Sequence, residues 1–359
     1  MQQQPAYRLD RDFWRNRRVL VTGHTGFTGG WLCLWLARMG ARITGYALAP
    51  QTPSLFGSLE LERDLVSTIA DLADRTRLES AVRVARPEIV IHLAAQALVR
   101  QAHATPVETF ATNVMGTVNL LEALRGIDSV QAVVVVTSDK VYLNRSLKRG
   151  YHEDDPLGGR EPYSASKACA EIAVEAYRHS YFNAGGPAIA TARAGNIVGG
   201  GDWAADRLVP DAIRAFEAGM ALRIRNPNAT RPWQHVLEAA CGYLTLAEHL
   251  VRLPQASASA WNFGPSHDDN RSVAWIADEM TRLWGNGAAW HLENRQDGPF
   301  EEQLLAVNAD KAAAQLGWRT RWNVEEALQR TVPWYRAQLG DRPMRTLSLD
   351  QIEEYAHAA

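Results

Sequence analysis

The sequence predicts an α/β fold, a doubly wound parallel sheet followed by a smaller C-terminal α/β unit. Three observations carry this. Short β-branched runs alternate with longer helical patterns, which is the rhythm of βαβ units. The runs are almost continuously apolar, as strands covered on both faces must be. A glycine cluster, Gly23-His24-Thr25-Gly26-Phe27-Thr28-Gly29, follows the first run and opens the first helical pattern.

In chain order, strands are predicted at 19–21, 41–46, 66–70, 89–92, 132–137 and 188–193, and helices at 31–39, 76–85, 106–125 and 164–180. After Arg193 the rhythm breaks. Gly199-Gly200-Gly201 and the proline-punctuated stretch 226–232 read as loops, and nine of the twelve tryptophans lie beyond residue 200. The expected division is a first unit at 1–193, joined by a returning segment at about 233–264, and a second, substrate-facing unit at 194–232 and 265–359.

Composition narrows the function classes. The chain has 359 residues, 46% of them hydrophobic, enough for one large α/β unit or two intimate ones. A net charge of −2 gives no electrostatic footprint for nucleic acid or an anionic membrane. Cys33, Cys169 and Cys241 form no CxxC or Cys/His arrangement, as expected of reduced thiols in the cytoplasm. The segment 1–12 is polar, and no apolar run reaches the roughly 18–20 residues of a membrane helix. Ten histidines show no metal-ligand spacing, so no metal is expected.

The glycine cluster has GxxGxxG spacing between a strand and a helix. Gly23, Gly26 and Gly29 permit a tight turn and close backbone approach, and the helix start at Thr25 and Phe27 offers N–H donors to a pyrophosphate. A dinucleotide cofactor follows. The end of the second strand, Gly45-Tyr46-Ala47-Leu48, lacks both the acid that marks NAD and the arginine that marks NADP. Asp71 and Leu72 after the third strand are candidates for the adenine edge, with a helix N-cap as the other role open to Asp71. Ala94, Ala95 and Gln96 close the fourth strand, where small residues would let the backbone meet the cofactor.

The fifth strand ends in Thr137-Ser138-Asp139-Lys140, and Tyr163 and Lys167 follow at i and i+4 on a helix. A lysine beside a tyrosine favours the phenolate over the phenol, whose ordinary pKa is about 10. With the glycine loop and Ser138, this constellation resembles the extended short-chain dehydrogenase/reductase superfamily, whose nucleotide-binding part is a Rossmann sheet. Asp139-Lys140 then sets the subtype. Removing water across a sugar's C5 and C6 needs an acid and a base, which simple epimerases and reductases do not.

Asp-Lys after Thr-Ser is similar to the CDP-glucose 4,6-dehydratase family, where most nucleotide-sugar 4,6-dehydratases carry Asp-Glu. Asn113 within Thr112-Asn113-Val114, Gly195-Asn196, Gly199-Gly200-Gly201-Asp202-Trp203, Arg231-Pro232-Trp233-Gln234-His235 and Trp261-Asn262-Phe263-Gly264-Pro265 extend the likeness over nearly the whole chain. The resemblance implies NAD as cofactor, Asn113 among its contacts, CDP-glucose as substrate, and a 4-keto-6-deoxy product for deoxysugars such as those of lipopolysaccharide O-antigen. It also implies a homodimer joined by the helices 106–125 and 164–180 as a four-helix bundle, although their apolar positions equally fit packing on the sheet.

The implied roles are specific. Tyr163 takes the proton of the 4-hydroxyl, Ser138 holds the developing ketone with help from Thr137, and Lys167 supports the nicotinamide ribose. Lys140 removes the C5 proton and Asp139 protonates the departing C6 hydroxyl. A lysine is ordinarily protonated, so Lys140 as a base needs desolvation or a neighbouring cation such as Lys167 or the oxidised nicotinamide. Arg231 is expected to clamp the diphosphate, with a surface ion pair as its other reading, and Asn196 to bind phosphate or sugar unless it is a turn residue. Arg207, Arg225 and His235 complete the substrate candidates. Trp203 and Trp233 are open to stacking on sugar or base, with core packing the expected role of most tryptophans. The readings left open are a 4,6-dehydratase or epimerase for another nucleotide sugar, and an NAD(P)-sensing regulator, which would not need the Tyr-Lys pair.

Overall fold

A computed structural model describes residues 6–147, 149–183, 185–293, 304–340 and 342–358. Of the expected second unit, 294–303, 341 and 359 lie outside these, as do 1–5, 148 and 184 of the first.

Six strands carry the first half: β1 Arg18–Thr22, β2 Arg42–Ala47, β3 Leu65–Ile69, β4 Ile89–His92, β5 Ala132–Val136 and β6 Ala188–Ala194. Each meets its predicted bounds to within one residue. Then come β7 Asn196–Val198, β8 Leu222–Ile224, β9 Thr230–His235, β10 Ala260–Phe263, β11 Asn270–Ser272 and β12 Trp290–Leu292. The main sheet has the order β3-β2-β1-β4-β5-β6-β10, and every pairing in it is parallel. Strand order reverses between β1 and β4, so the crevice at their carboxyl ends is the place for a ligand. The seventh strand, β10, was not among the predicted ones. Four residues give too little pattern to stand out, and β10 is specified by its pairing with β6.

The predicted alternation of covered faces is real. Val19 and Val21 of β1 and Val134 of β5 join one buried cluster, while Leu20, Val133 and Val135 join the cluster on the opposite face. The helix Val236–Arg252 covers the first face, with Leu237, Leu244 and Leu250 in the core. The helices Arg75–Ala85 and Gly116–Leu124 cover the second. A three-stranded sheet β11-β9-β7 and a two-stranded sheet β12-β8 take up the other described strands. Trp233, Trp261, Trp284, Trp318, Trp322 and Trp334 are buried, the packing role expected of most tryptophans. Among the described residues no helix is long and apolar enough to cross a membrane.

Two helices depart from prediction. The first runs Phe27–Arg38, so Gly29 and Gly30 are helical where the apolar pattern alone starts later. The predicted helix 106–125 divides into Pro106–Phe110, a π-helical turn Ala111–Met115 and Gly116–Leu124. Such π-turns mark places where a side chain is re-aimed, and here it is Asn113.

Candidate active site

The glycine corner is tight. Gly23 has φ +76, and a Cβ there would stand 2.7 Å from the Ala94 backbone nitrogen. A Cβ on Gly29 would collide with the Gly23 carbonyl. These bare positions bring the start of the helix Phe27–Arg38 against the end of β4 and leave backbone N–H groups facing the crevice. Beneath the corner, buried His24 packs against Gly45 and bonds the Ser67 hydroxyl at 2.8 Å. Burial lowers its pKa to about 4, so it is a neutral support.

The crevice continues as one cleft of about 870 Å³. Gly23, Thr25, Gly26, Phe27, Gly29, Asp71, Leu72, Ala94, Ala95 and Gln96 line its cofactor end. Thr137, Ser138, Asp139, Lys140, Tyr163 and Lys167 line its middle. Asn196, Arg207, Arg225 and Arg231 line the far end.

Two expected site residues are elsewhere. Asn113 does not line the cleft. Its amide accepts from the Gln96 N–H at 2.8 Å, donates to the Gln96 carbonyl at 3.0 Å and donates to Ser166 at 2.9 Å. It fixes the loop that presents Gln96. His235 is wholly buried, its ring edge-on to Trp31 and Trp322 and its Nδ1 accepting from the Leu237 N–H at 3.3 Å. It caps the helix Val236–Arg252, and a neighbouring aromatic core leaves it no path to a ligand. The alternatives for three residues also resolve. Asp74, not Asp71, caps the helix Arg75–Ala85, accepting from the Arg77 N–H at 3.0 Å. Asn196 begins β7 rather than forming a turn, and Arg231 is buried rather than on the surface.

The catalytic candidates are held by local sequence. Glu161 accepts from the Tyr163 and Ser164 N–H groups, both at 2.7 Å, and Ser164 returns the contact, so a capping box starts the helix Pro162–Tyr181 beneath Tyr163. Lys167, one turn on, is buried and donates to the Val136 carbonyl at 3.1 Å. Burial lowers its pKa to about 8, against the pull of Glu171. Tyr163 departs from expectation. Burial raises its pKa to about 12, and the opposing effects come from a hydrogen bond with Ser138 and from the charge of Arg207.

Asp139 and Lys140 occupy a 3-10 turn directly after β5. Asp139 is 2% exposed. Its Oδ1 accepts from Ser138 at 3.0 Å, while no described residue reaches Oδ2. Burial raises its pKa, outweighing Lys140, Ser138 and Arg231, which lower it. A raised pKa shifts a buried carboxyl toward the protonated form that a general acid needs.

Sequence reasoning missed Glu171. It lies four residues beyond Lys167 on the same helical face, which is the one signal available. Buried, it takes Arg193 by both oxygens at 2.9 and 3.0 Å, and accepts from Thr137 at 2.5 Å and Thr191 at 2.7 Å. Thr137 therefore spends its proton on Glu171 and is not free to donate to a developing ketone. Among the described residues no group of three His, Cys, Asp or Glu side chains is placed to hold a metal.

A family model described as GDP-mannose 4,6 dehydratase matches residues 20–331. The chain is 46% identical over 356 residues to a CDP-glucose 4,6-dehydratase of Salmonella typhimurium, covering 98% of this chain and 99% of that one. It is 26% identical to a dTDP-glucose 4,6-dehydratase of Xanthomonas campestris, covering 88% and 92%. In fold it resembles a UDP-glucose-4-epimerase of Stenotrophomonas maltophila solved with NAD and formylated UDP-arabinopyranose, with a TM-score of 0.77, 22% identity, and coverage of 90% and 99%.

Proposed function

Because the chain belongs to the GDP-mannose 4,6-dehydratase family, we propose that it converts CDP-glucose to CDP-4-keto-6-deoxyglucose, with NAD as its cofactor. One observation carries the chemistry. A buried Asp139, its pKa raised by that burial, and its neighbour Lys140 open onto the same cleft as Tyr163 and Lys167. The oxidising pair alone would serve an epimerase, whereas the added acid and base serve elimination. The choice of CDP rests on likeness along almost the whole chain.

The residues fit NAD. The glycine corner is a cradle that any Cβ would fill, and it ends at a helix N-terminus. Gly23, Thr25, Gly26, Phe27 and Gly29 would hold the pyrophosphate, Asp71 and Leu72 the adenosine, and Lys167 the nicotinamide ribose. Bound there, NAD would supply the hydride acceptor for the sugar's C4 and the hydride donor for its C6. Tyr163, its phenolate favoured against burial by the positive charge of oxidised nicotinamide, would accept the 4-hydroxyl proton, and Ser138 would turn its hydroxyl from Asp139 to the resulting oxygen. Lys140 takes the proton from C5, which the ketone has made acidic, Asp139 delivers its proton to the C6 oxygen, and the proton held on Lys140 goes back to C5 as C6 receives the hydride. Arg231 and Arg225 face the diphosphate, with Asn196 and Arg207 between it and the sugar. Arg207 arrives already paired with Asp202 at 2.9 Å, so it positions more than it neutralises.

The enzyme is read as a cytoplasmic homodimer. Its three cysteines are unpaired, and the helices Pro106–Phe110 and Pro162–Tyr181 carry exposed Val107, Phe110 and Ile172 for a second copy to cover. Its 4-keto product would feed deoxysugar synthesis.

The test is incubation with the glucose esters of CDP, UDP, GDP and dTDP, scored by the near-ultraviolet absorbance that 4-keto sugars develop in alkali. CDP-glucose is expected to be turned over in strong preference. Equal turnover of all four would remove the CDP assignment. Epimerised sugar without the alkali-sensitive product would remove the elimination.

A further inference from the structure

The cleft wall holds a tyrosine that none of these roles uses. Tyr243 stands on the helix Val236–Arg252, with 0% of its surface exposed and its ring edge-on to Phe263 at 5.9 Å. It lines the same cleft as Asp139 and Tyr163. Among the described residues nothing hydrogen-bonds its hydroxyl. The free Oδ2 of Asp139 is in the same condition. Buried polar groups are almost always bonded, and leaving one unmet costs about 1–3 kcal/mol. Two such atoms line one cleft, where burial first and then the neighbouring Tyr163 and Asp139 act on the tyrosine, and they call for a polar group that both can meet. The cleft of about 870 Å³ that both residues line has room for it, and the backbone at Gly195 approaches Oδ2 closely, a Cβ there meeting Pro232 Cγ at 2.5 Å and Oδ2 at 3.2 Å.

We propose that Tyr243 is a further substrate-contacting residue, whose phenol hydrogen-bonds the C6 hydroxyl at Asp139 and steadies it as it leaves. This rests on the dehydratase reading above. As the C6–O bond breaks, its electron pair goes to oxygen, the Asp139 proton joins that oxygen, and water forms. The C5 proton goes to Lys140, and the electrons of the C5–H bond close the C5=C6 double bond. Tyr243 donates a hydrogen bond throughout and keeps its own proton, since burial and its acidic neighbours hold its pKa far above neutrality. It is silent in the C4 oxidation, which takes place at Tyr163.

Tyr243→Phe removes one oxygen and keeps the ring against Phe263. Single turnovers of the holoenzyme with CDP-glucose separate the steps, because reduced nicotinamide absorbs only between oxidation at C4 and hydride return. In the variant the absorbance is expected to rise at the wild-type rate and to decay about tenfold more slowly, with 4-keto-6-deoxy product appearing at the slowed rate. Decay at the wild-type rate would overturn the assignment. So would rise and decay slowed in equal measure, the mark of a packing defect. If the Phe variant fails to fold, Tyr243→Met, which also lacks the oxygen, carries the same expectation. Failure of the parent reading is visible separately, as wild-type enzyme that forms no 4-keto-6-deoxy product from any of the four nucleotide sugars.

Discussion

Asp139 and Glu171 are both buried carboxyls, and their surroundings move their pKa values in opposite directions. Glu171 receives Arg193 in bidentate fashion and two threonine hydroxyls, and these hold its pKa below the usual carboxylate range despite burial. Asp139 receives one hydrogen bond from Ser138, leaves an oxygen bare, and is raised. The first is a permanent anion that braces β6 against the helix Pro162–Tyr181, and the second is an acid in reserve. Asp139→Asn and Lys140→Ala are each expected to leave C4 oxidation intact and to lower elimination by about 100-fold or more, measured as persistent reduced nicotinamide and lost 4-keto-6-deoxy product. The sign with pH follows from the raised Asp139 pKa. Its protonated form is lost as pH rises, so the elimination rate falls on the alkaline side in the wild type, and the Asn variant lacks that limb. Tyr163, Lys167, Ser138, Asp139 and Lys140 are legible in the chain because they are neighbours in sequence or one helical turn apart. Glu171 and Tyr243 are not, because what gives them meaning is Arg193 on another strand in one case and a shared cleft in the other.

At the scale of elements, the strand–turn–helix at Gly23 is the most legible part and the most constrained. Its left-handed backbone and the 2.7 Å approach to Ala94 exclude any side chain. Gly23→Ala should therefore fold with a displaced loop and lose at least about tenfold in cofactor affinity, read from the NAD retained on purification and from titration calorimetry. Buried strands announce themselves because both faces are apolar, which explains the close match at β1, β4, β5 and β6, whereas the edge strand β3, with Val66 and Ile69 exposed, is legible from its β-branched residues. The π-turn at Ala111–Met115 and the strand β10 do not, since each is set by a partner distant in sequence. A further long-range tie fixes the C-terminal helix Met344–His357. Glu238, wholly buried, accepts from Tyr355 at 2.5 Å and from the Arg321 and Trp322 N–H groups at 2.9 and 2.8 Å. Burial raises its pKa from an ordinary 4.5 to about 7. The folded state then binds a proton that the unfolded state has released between these values, so stability falls as pH rises through that window. Glu238→Gln, neutral at every pH, is expected to flatten this slope, and a melting temperature that declines from pH 5 to 7 in the variant as in the wild type would dismiss it.

For the whole molecule, the question is what covers the outer face of the helices Pro106–Phe110 and Pro162–Tyr181. Their inner faces are spoken for, with Val174 packed into the cluster beside β5 and Thr109 bonded to Gln96 at 3.0 Å. Outward, Val107 is 75% exposed, Met115 52% and Ile172 60%. Single exposed apolar residues are ordinary, but several on adjacent helices form a patch of the kind that marks an interface. The chain's small net charge offers a second copy little repulsion. A two-fold axis along the helix Pro162–Tyr181 would set Ile172 against itself or its near neighbours, because a two-fold interface is made of one patch twice. A glutamate there would place like charges face to face in a desolvated contact. Ile172→Glu is thus expected to shift a dimer to monomer by sedimentation at micromolar concentration, while a protein already monomeric would show no change in mass. Tyr163 and Lys167 begin the same helix, so loss of the partner should also loosen the catalytic turn. The monomer is expected to bind NAD with the glycine corner unaltered but to turn over more slowly, with the deficit recovered at concentrations that restore the dimer.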